Sequence, residues 1–347
     1  MHSRIIAIAA FCLPCLPSTG RAAPCVTLGD SLTFAYEAEF GFEVTVPFGP
    51  TYGDGFGPEV RNWVEILRDP AYRGADFDFG ARDEFELDFF FYSYDLLFRH
   101  QYNWALPGLR IYELRDFMEA SLTFRDLVEA DPDLSLLLDL SDINLDTAFE
   151  LTDLEDQIRD TAERLVFFIG GNDVRGVYGD IYQGASPDAF IVSFIDDATA
   201  ILDRVQFLNP DLPVVVVNVP HIGITPDIKN SYPTDPAGTG RVTAALSELN
   251  RQLKALADAR GYGYADVFTP TLPMLGDAPY AIHGIPFLNA GSTSGNLDYV
   301  WLNGEYSANF HPNTNGQAII ANEIIDAFNT RYGHGIPPLT ATEILGG

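Results

Sequence analysis

Cys25-Val26-Thr27-Leu28 running into Gly29-Asp30-Ser31, and Leu165-Val166-Phe167-Phe168-Ile169 running into Gly170-Gly171-Asn172-Asp173, decide how this chain is read. Each is a short apolar run that breaks abruptly at glycine and polar residues. Continuous runs predict strands covered on both faces, because a strand with one wet face carries a polar residue at every second position. Residues 214–219, leading into Pro220-His221-Ile222-Gly223, and residues 262–267 read the same way. Helical patterns lie between them. Thr152 with Glu155 three residues on predicts a capping box ahead of Ile158, Ala162 and Leu165, and Pro187 opens a helix through Phe190, Phe194, Ala198 and Leu202. A third, over 242–259, sets Leu246, Leu249, Leu253 and Leu256 on one side and stops at Gly261. The last begins near Thr314, with Gln317 three residues on, and turns Ile320, Ile324 and Phe328 inward. Strands alternating with helices predict an α/β fold with a mostly parallel sheet.

With 347 residues, 47% of them hydrophobic, there is ample material for a large core. The balance of 49 acidic against 20 basic residues, a net −29, disfavours nucleic acid, anionic membranes and polyanions as partners and favours neutral substrates. Residues 1–23 have the parts of a secretory signal: Arg4, an apolar stretch over 5–11, Pro14, Pro17, and the small residues Ala22 and Ala23. Export to a secreted or periplasmic location is expected, with no stable membrane insertion. Cleavage there would leave Cys25 alone, with no intramolecular disulfide. The organisation expected is one domain over 24–332 with insertions near 69–104 and 270–306, then a loose tail over 333–347.

Ligands of an open parallel sheet gather at the carboxyl ends of its strands. Ser31, Asn172-Asp173 and His221 all fall at such ends. His221 is expected to line the pocket or to pack on the sheet edge. The spacing Asp142-Asn144-Asp146, with Glu150 and Asp153 beyond, hints at a calcium loop, but Thr147 stands where the loop needs glycine, and a solvated acidic segment is the alternative. No motif suggests zinc, and no metal or cofactor is expected.

Four blocks, Gly29-Asp30-Ser31-Leu32-Thr33, Gly170-Gly171-Asn172-Asp173, Val219-Pro220 with Gly223, and His311-Pro312-Asn313, resemble in order and spacing the blocks of SGNH/GDSL hydrolases. The resemblance spans almost all of the chain after the signal. It implies a three-layer α/β/α sandwich of the flavodoxin-like kind and a carboxylic ester hydrolase. It also implies a nucleophile at Ser31, a histidine base at His311, and an oxyanion hole from the Ser31 N–H, the Asn172 amide and a glycine N–H. Residues 102–108, ending at Gly108, resemble the block that supplies that glycine, with Gly80 as the rival. Such chemistry needs a base because a serine hydroxyl is a poor nucleophile, and fixed donors because charge develops on the substrate oxygen. One departure stands out: the aspartate usually found three residues before the histidine is replaced by Ala308. Glu305, Asp298 or a main-chain carbonyl over 305–310 is expected to hold the ring instead. Acyl transfer on the same site, or a catalytically weak extracellular binding protein, are the alternative functions.

Overall fold

The computed structural model describes residues 21–39, 44–45, 51–52, 60–89, 92–129, 150–232, 235–291, 298–302 and 310–344. Its centre is a parallel sheet built from β1 (Ala23–Gly29), β2 (Phe77–Asp78), β5 (Arg164–Phe168), β6 (Val214–Val217) and β7 (Gly263–Ala265), in the order β2-β1-β5-β6-β7. Alternate side chains of each strand enter different cores. Val26, Leu28, Leu165, Phe167, Val214 and Val216 pack with α2 (Ile111–Met118), α3 (Gly171–Gln183), α4 (Asp188–Leu208) and α5 (Pro236–Arg260). Cys25, Val166, Phe168, Val215 and Val217 pack with α1 (Trp63–Arg68) and α6 (Thr314–Tyr332) on the opposite face. The result is the expected α/β/α sandwich, and two-sided burial is why the strands are apolar without interruption. Helix starts differ in detail from the sequence reading. Glu150, not Thr152, stands at the N-cap of the helix Leu151–Asp156, and Asn313 caps α6 by accepting from the N–H groups of Asn315 and Gly316.

The chain passes from β1 to β2 on one side and then to β5 on the other, so the order of strands reverses at β1 and β5. A crevice opens at such a reversal. Ser31 and Asn172 follow those two strands.

The insertion expected over 69–104 is smaller than that. After β2 the chain leaves the sheet as a hairpin of β3 (Arg82–Phe89) and β4 (Tyr92–His100). It then returns to the same edge: the Thr27 N–H donates to Tyr102 O at 2.9 Å and the Leu106 N–H to Gly29 O at 3.2 Å. Residues 102–106 thus extend the edge begun by β2, and only the hairpin is inserted. Over 270–306 lies a separate sheet of β8 (Tyr280–Ile282), β9 (Ile285–Gly291) and β10 (Tyr299–Trp301). It is the mount for His311: the Leu302 N–H donates to His311 O at 3.0 Å, and the Asn313 N–H to Val300 O at 2.7 Å.

The tail is not loose. Ile336, Leu339 and Ile344 are buried in the second core, and the guanidinium of buried Arg73 donates to Pro337 O, Pro338 O and Glu343. Low charge and paired prolines looked like a solvated end, but the apolar side chains between them are what the core takes up. Residues 1–20 of the signal expected over 1–23 lie outside the described residues, as do Asp142, Asn144 and Asp146; the last of the 23, Ala23, opens β1. No helix among the described residues is long and apolar enough to cross a membrane.

Candidate active site

Gly29 ends β1 because no larger residue fits: a Cβ there would meet Phe168 O at 2.6 Å. The chain can therefore turn tightly against the end of β5. Asp30 locks that turn. Its carboxylate accepts from the Leu32 N–H at 3.1 Å and from the N–H groups of Gly170 and Gly171 at 3.3 Å each. One buried side chain thus joins the loop carrying Ser31 to the loop carrying Asn172. Burial raises Asp30 to about 6, against the pull of those N–H donors. Gly170 takes φ 129°, a left-handed value favouring glycine, and starts α3.

Asn172 lies in the first turn of α3, with Nδ2 donating to Leu109 O at 3.2 Å. Asp173 beside it accepts from the Ile111 N–H at 3.2 Å, and burial raises it to about 7, with Asp30 adding to the shift. The two carboxylates are structural anchors: Asp30 holds its turn to the start of α3 through three main-chain N–H groups, and Asp173 holds the start of α2 through one. Gly108, exposed and at φ 74°, precedes Leu109, so the segment 106–109 runs from the end of β1 to Asn172. Gly80 lies lower on the sheet. Asp78 pairs with Pro24, which puts Gly80 near the level of Val26, five residues and up to roughly 16 Å before Ser31 along the strand direction.

Residues 280 apart in sequence meet at the centre. Ser31 Oγ lies 2.7 Å from His311 Nε2, both side chains being buried. A neutral imidazole at that distance can take the hydroxyl proton. Tyr36 and Phe310 each set a ring at right angles to that of His311, with centroids 6.2 and 5.7 Å away. The Tyr36 hydroxyl donates to Pro312 O at 3.0 Å and accepts from Gln317 Nε2 at 2.6 Å, fixing the residue that follows His311. Tyr36 and Gln317 were not legible as site residues: Gln317 reads as a capping residue, and nothing local marks Tyr36. Ala308, Glu305 and the main chain of 306–309 lie outside the described residues, and with them most of the expected replacements for the missing aspartate. Asp298, in the segment just before β10, is described.

His221 does not line the site. It is fully buried, its Nδ1 accepts from the Gly223 N–H at 3.1 Å, and its Nε2 lies 3.0 Å from Thr243 Oγ1. Burial lowers it to about 4. With both ring nitrogens engaged inside the protein, it caps the turn over 222–224 and has no edge to offer a substrate. Among the described residues no group of His, Cys, Asp and Glu is arranged to hold a metal ion.

A family model described as GDSL-like Lipase/Acylhydrolase matches residues 25–324. No curated protein matches the sequence. Similar solved structures include an extracellular lipase from Streptomyces rimosus, 14% identical over 88% of this chain and 100% of that one, with a TM-score of 0.44. An acetylxylan esterase from Geobacillus stearothermophilus is 12% identical over 93% and 98%, TM-score 0.44. A phospholipase A1 from Streptomyces albidoflavus is 14% identical over 90% and 100%, TM-score 0.43. At these values the three say nothing about substrate.

Proposed function

This chain belongs to the GDSL-like lipase/acylhydrolase family and is an ester-cleaving hydrolase, and we propose that it cleaves neutral carboxylic esters through an acyl-enzyme on Ser31, with His311 as general base. The observation that carries the reading is the 2.7 Å approach of Ser31 Oγ to His311 Nε2. His311 Nε2 takes the hydroxyl proton as Oγ bonds to the carbonyl carbon; the carbon–oxygen bond to the alcohol then breaks, and the alcohol leaves with that proton. Water repeats the sequence on the acyl-enzyme, releasing the acid and restoring the serine. The Ser31 N–H, the Gly108 N–H and Asn172 Nδ2 are the donors for the oxyanion. Register favours Gly108 over Gly80, since only the former stands beside Asn172 at the end of the sheet. Export through residues 1–23 belongs to the same proposal, resting on the sequence alone. So does the preference for neutral substrates, which rests on the net charge of −29.

The test is labelling with a serine-directed phosphonate together with turnover of simple esters, in the wild type and in Ser31→Ala. The label is expected on Ser31, and the variant is expected to fold and to lose both label and turnover. Turnover that survives in clean Ser31→Ala would remove the mechanism. Products formed with added alcohols would separate hydrolysis from acyl transfer.

A further inference from the structure

His311 sits in an extended stretch that β10 holds from one side. His311 O accepts from the Leu302 N–H at 3.0 Å, and the Asn313 N–H donates to Val300 O at 2.7 Å. Successive carbonyls of an extended chain point to opposite sides, so Pro312 O faces away from that sheet. There it accepts from the Tyr36 hydroxyl at 3.0 Å. Proline has no N–H, so this carbonyl is the main-chain handle at position 312. Tyr36 lies five residues after Ser31, and its hydroxyl therefore ties the loop of the nucleophile to the loop of the base. A phenol has a single hydrogen to donate, and where that hydrogen points is decided behind it. The Trp63 N–H opens α1, where a helix offers it no partner, and it donates to Gln317 Oε1 at 3.3 Å. A main-chain N–H can only donate, so the Gln317 amide is held with its oxygen toward Trp63 and its nitrogen toward Tyr36. Nε2 donates to the Tyr36 oxygen at 2.6 Å, which leaves the hydroxyl hydrogen for Pro312 O. Trp63, Gln317 and Tyr36 are all fully buried.

We infer that Gln317 is a positioning residue for His311 and acts through Tyr36, by keeping the Tyr36 hydroxyl a donor to Pro312 O; the inference rests on the acyl-enzyme reading above. Its polarity matters, not its bulk. A carboxylate at 317 fills the same space and still accepts from the Trp63 N–H. It accepts from Tyr36 as well, so the hydroxyl hydrogen turns toward it, and Pro312 O is left facing an oxygen that donates nothing. The stretch around His311 is then held by β10 alone. A protonated carboxyl donates to Tyr36 as the amide does, so the defect appears only as that carboxyl ionises. Burial moves that ionisation upward, as it does for Glu65 in α1, which is raised to about 7.

The experiment measures kcat and KM of the full chain on p-nitrophenyl acetate across pH, for the wild type, Gln317→Glu, Tyr36→Phe and the double variant, with thermal unfolding of each beside it. His311, Glu37, Glu65 and Arg68 are present in all four, so their own titration cancels when each Gln317→Glu enzyme is divided by its parent. The kcat ratio of Gln317→Glu to wild type should be near one below about pH 6 and fall to about one tenth above about pH 8.5, with KM unchanged. In the Tyr36→Phe background the same substitution should change kcat by less than about twofold at any pH, since no hydroxyl remains to be turned. A buried charge that merely loosened the fold would lower both backgrounds alike. Gln317→Met, uncharged and close in size, covers the case in which Gln317→Glu does not fold at high pH: kcat should fall about two- to threefold with the Tyr36 hydroxyl present and not without it. A ratio that stays flat up to about pH 9, or equal losses with and without the hydroxyl, would overturn the inference while leaving the acyl-enzyme standing. A wild type that turns over no ester and takes no phosphonate label would remove both.

Discussion

Truncating Asn172 to alanine separates two effects of different size. In the free enzyme Asn172 Nδ2 donates to Leu109 O at 3.2 Å, from a side chain that is only half-buried. Losing one such bond costs about 1 kcal/mol of stability, or about 2–4 °C in Tm for a chain somewhat smaller than this one. The start of α3 does not otherwise depend on it, because the Gly170 and Gly171 N–H groups are held by Asp30, and the facing Ile111 N–H by Asp173. On the proposed mechanism the same amide faces developing negative charge in the transition state, and losing it there costs about 2.7–4 kcal/mol, or roughly 10²–10³ in kcat. The loss belongs in kcat rather than KM, since the ground-state carbonyl oxygen carries little of that charge. Steady-state kinetics on p-nitrophenyl acetate, run beside thermal unfolding of the same preparations, reads both quantities. A kcat loss below about threefold, in a variant that unfolds within a few degrees of the wild type, would refute the assignment of Asn172 to the oxyanion.

Tyr36→Phe keeps the ring against His311 but removes the hydroxyl that holds Pro312 O; kcat is expected to fall about five- to tenfold, roughly 1 kcal/mol, with KM unchanged, and wild-type kinetics would dismiss the positioning role. Stability should favour mild acid. Asp173 and Glu65, raised to about 7 by burial, and Asp30, raised to about 6, keep protons that the unfolded chain loses from about pH 4, so their contribution is present at acid and is lost as pH rises through 7. His100 and His221, lowered by burial to about 3 and about 4, act in the opposite sense but only below about pH 6.5. The net is on the order of 2 kcal/mol between about pH 6 and about pH 8.5, so Tm should be higher at the acid end, and a flat or inverted profile would contradict the burial argument. Ending the chain after Tyr332 removes three buried aliphatic side chains at about 1.5–3 kcal/mol each and leaves Arg73 buried without Glu343. That total rivals the whole stability of a domain, so the truncated protein should be insoluble or strongly destabilised, and unfolding within a few degrees of the full chain would show the tail to be dispensable.

The strands and the turns that end them were legible because their causes are local. An apolar run buried on both faces shows itself residue by residue, and glycine at 29 and 170 marks places where the backbone must pass close to a neighbour or take a positive φ. The blocks at Ser31, Asn172 and His311 could be found for the same reason, as short patterns at strand and helix ends. What joins them was not legible. Ser31 meets His311 because β10, in a segment that reads as an insertion, pairs with the stretch around Pro312. Asp30 bridges to Gly170 and Gly171 only because β1 and β5 lie side by side in that register. His221 looked like the other polar residues at strand ends, yet its turn folds it inward, where Gly223 and Thr243 take both ring nitrogens. The edge strand broken by a hairpin, the packed tail and the hold of Tyr36 on Pro312 are likewise matters of which distant segments touch. Residue type and local pattern specify where a strand ends and a helix begins; the contacts that make a site depend on register and packing across hundreds of residues, and only the tertiary structure decides those.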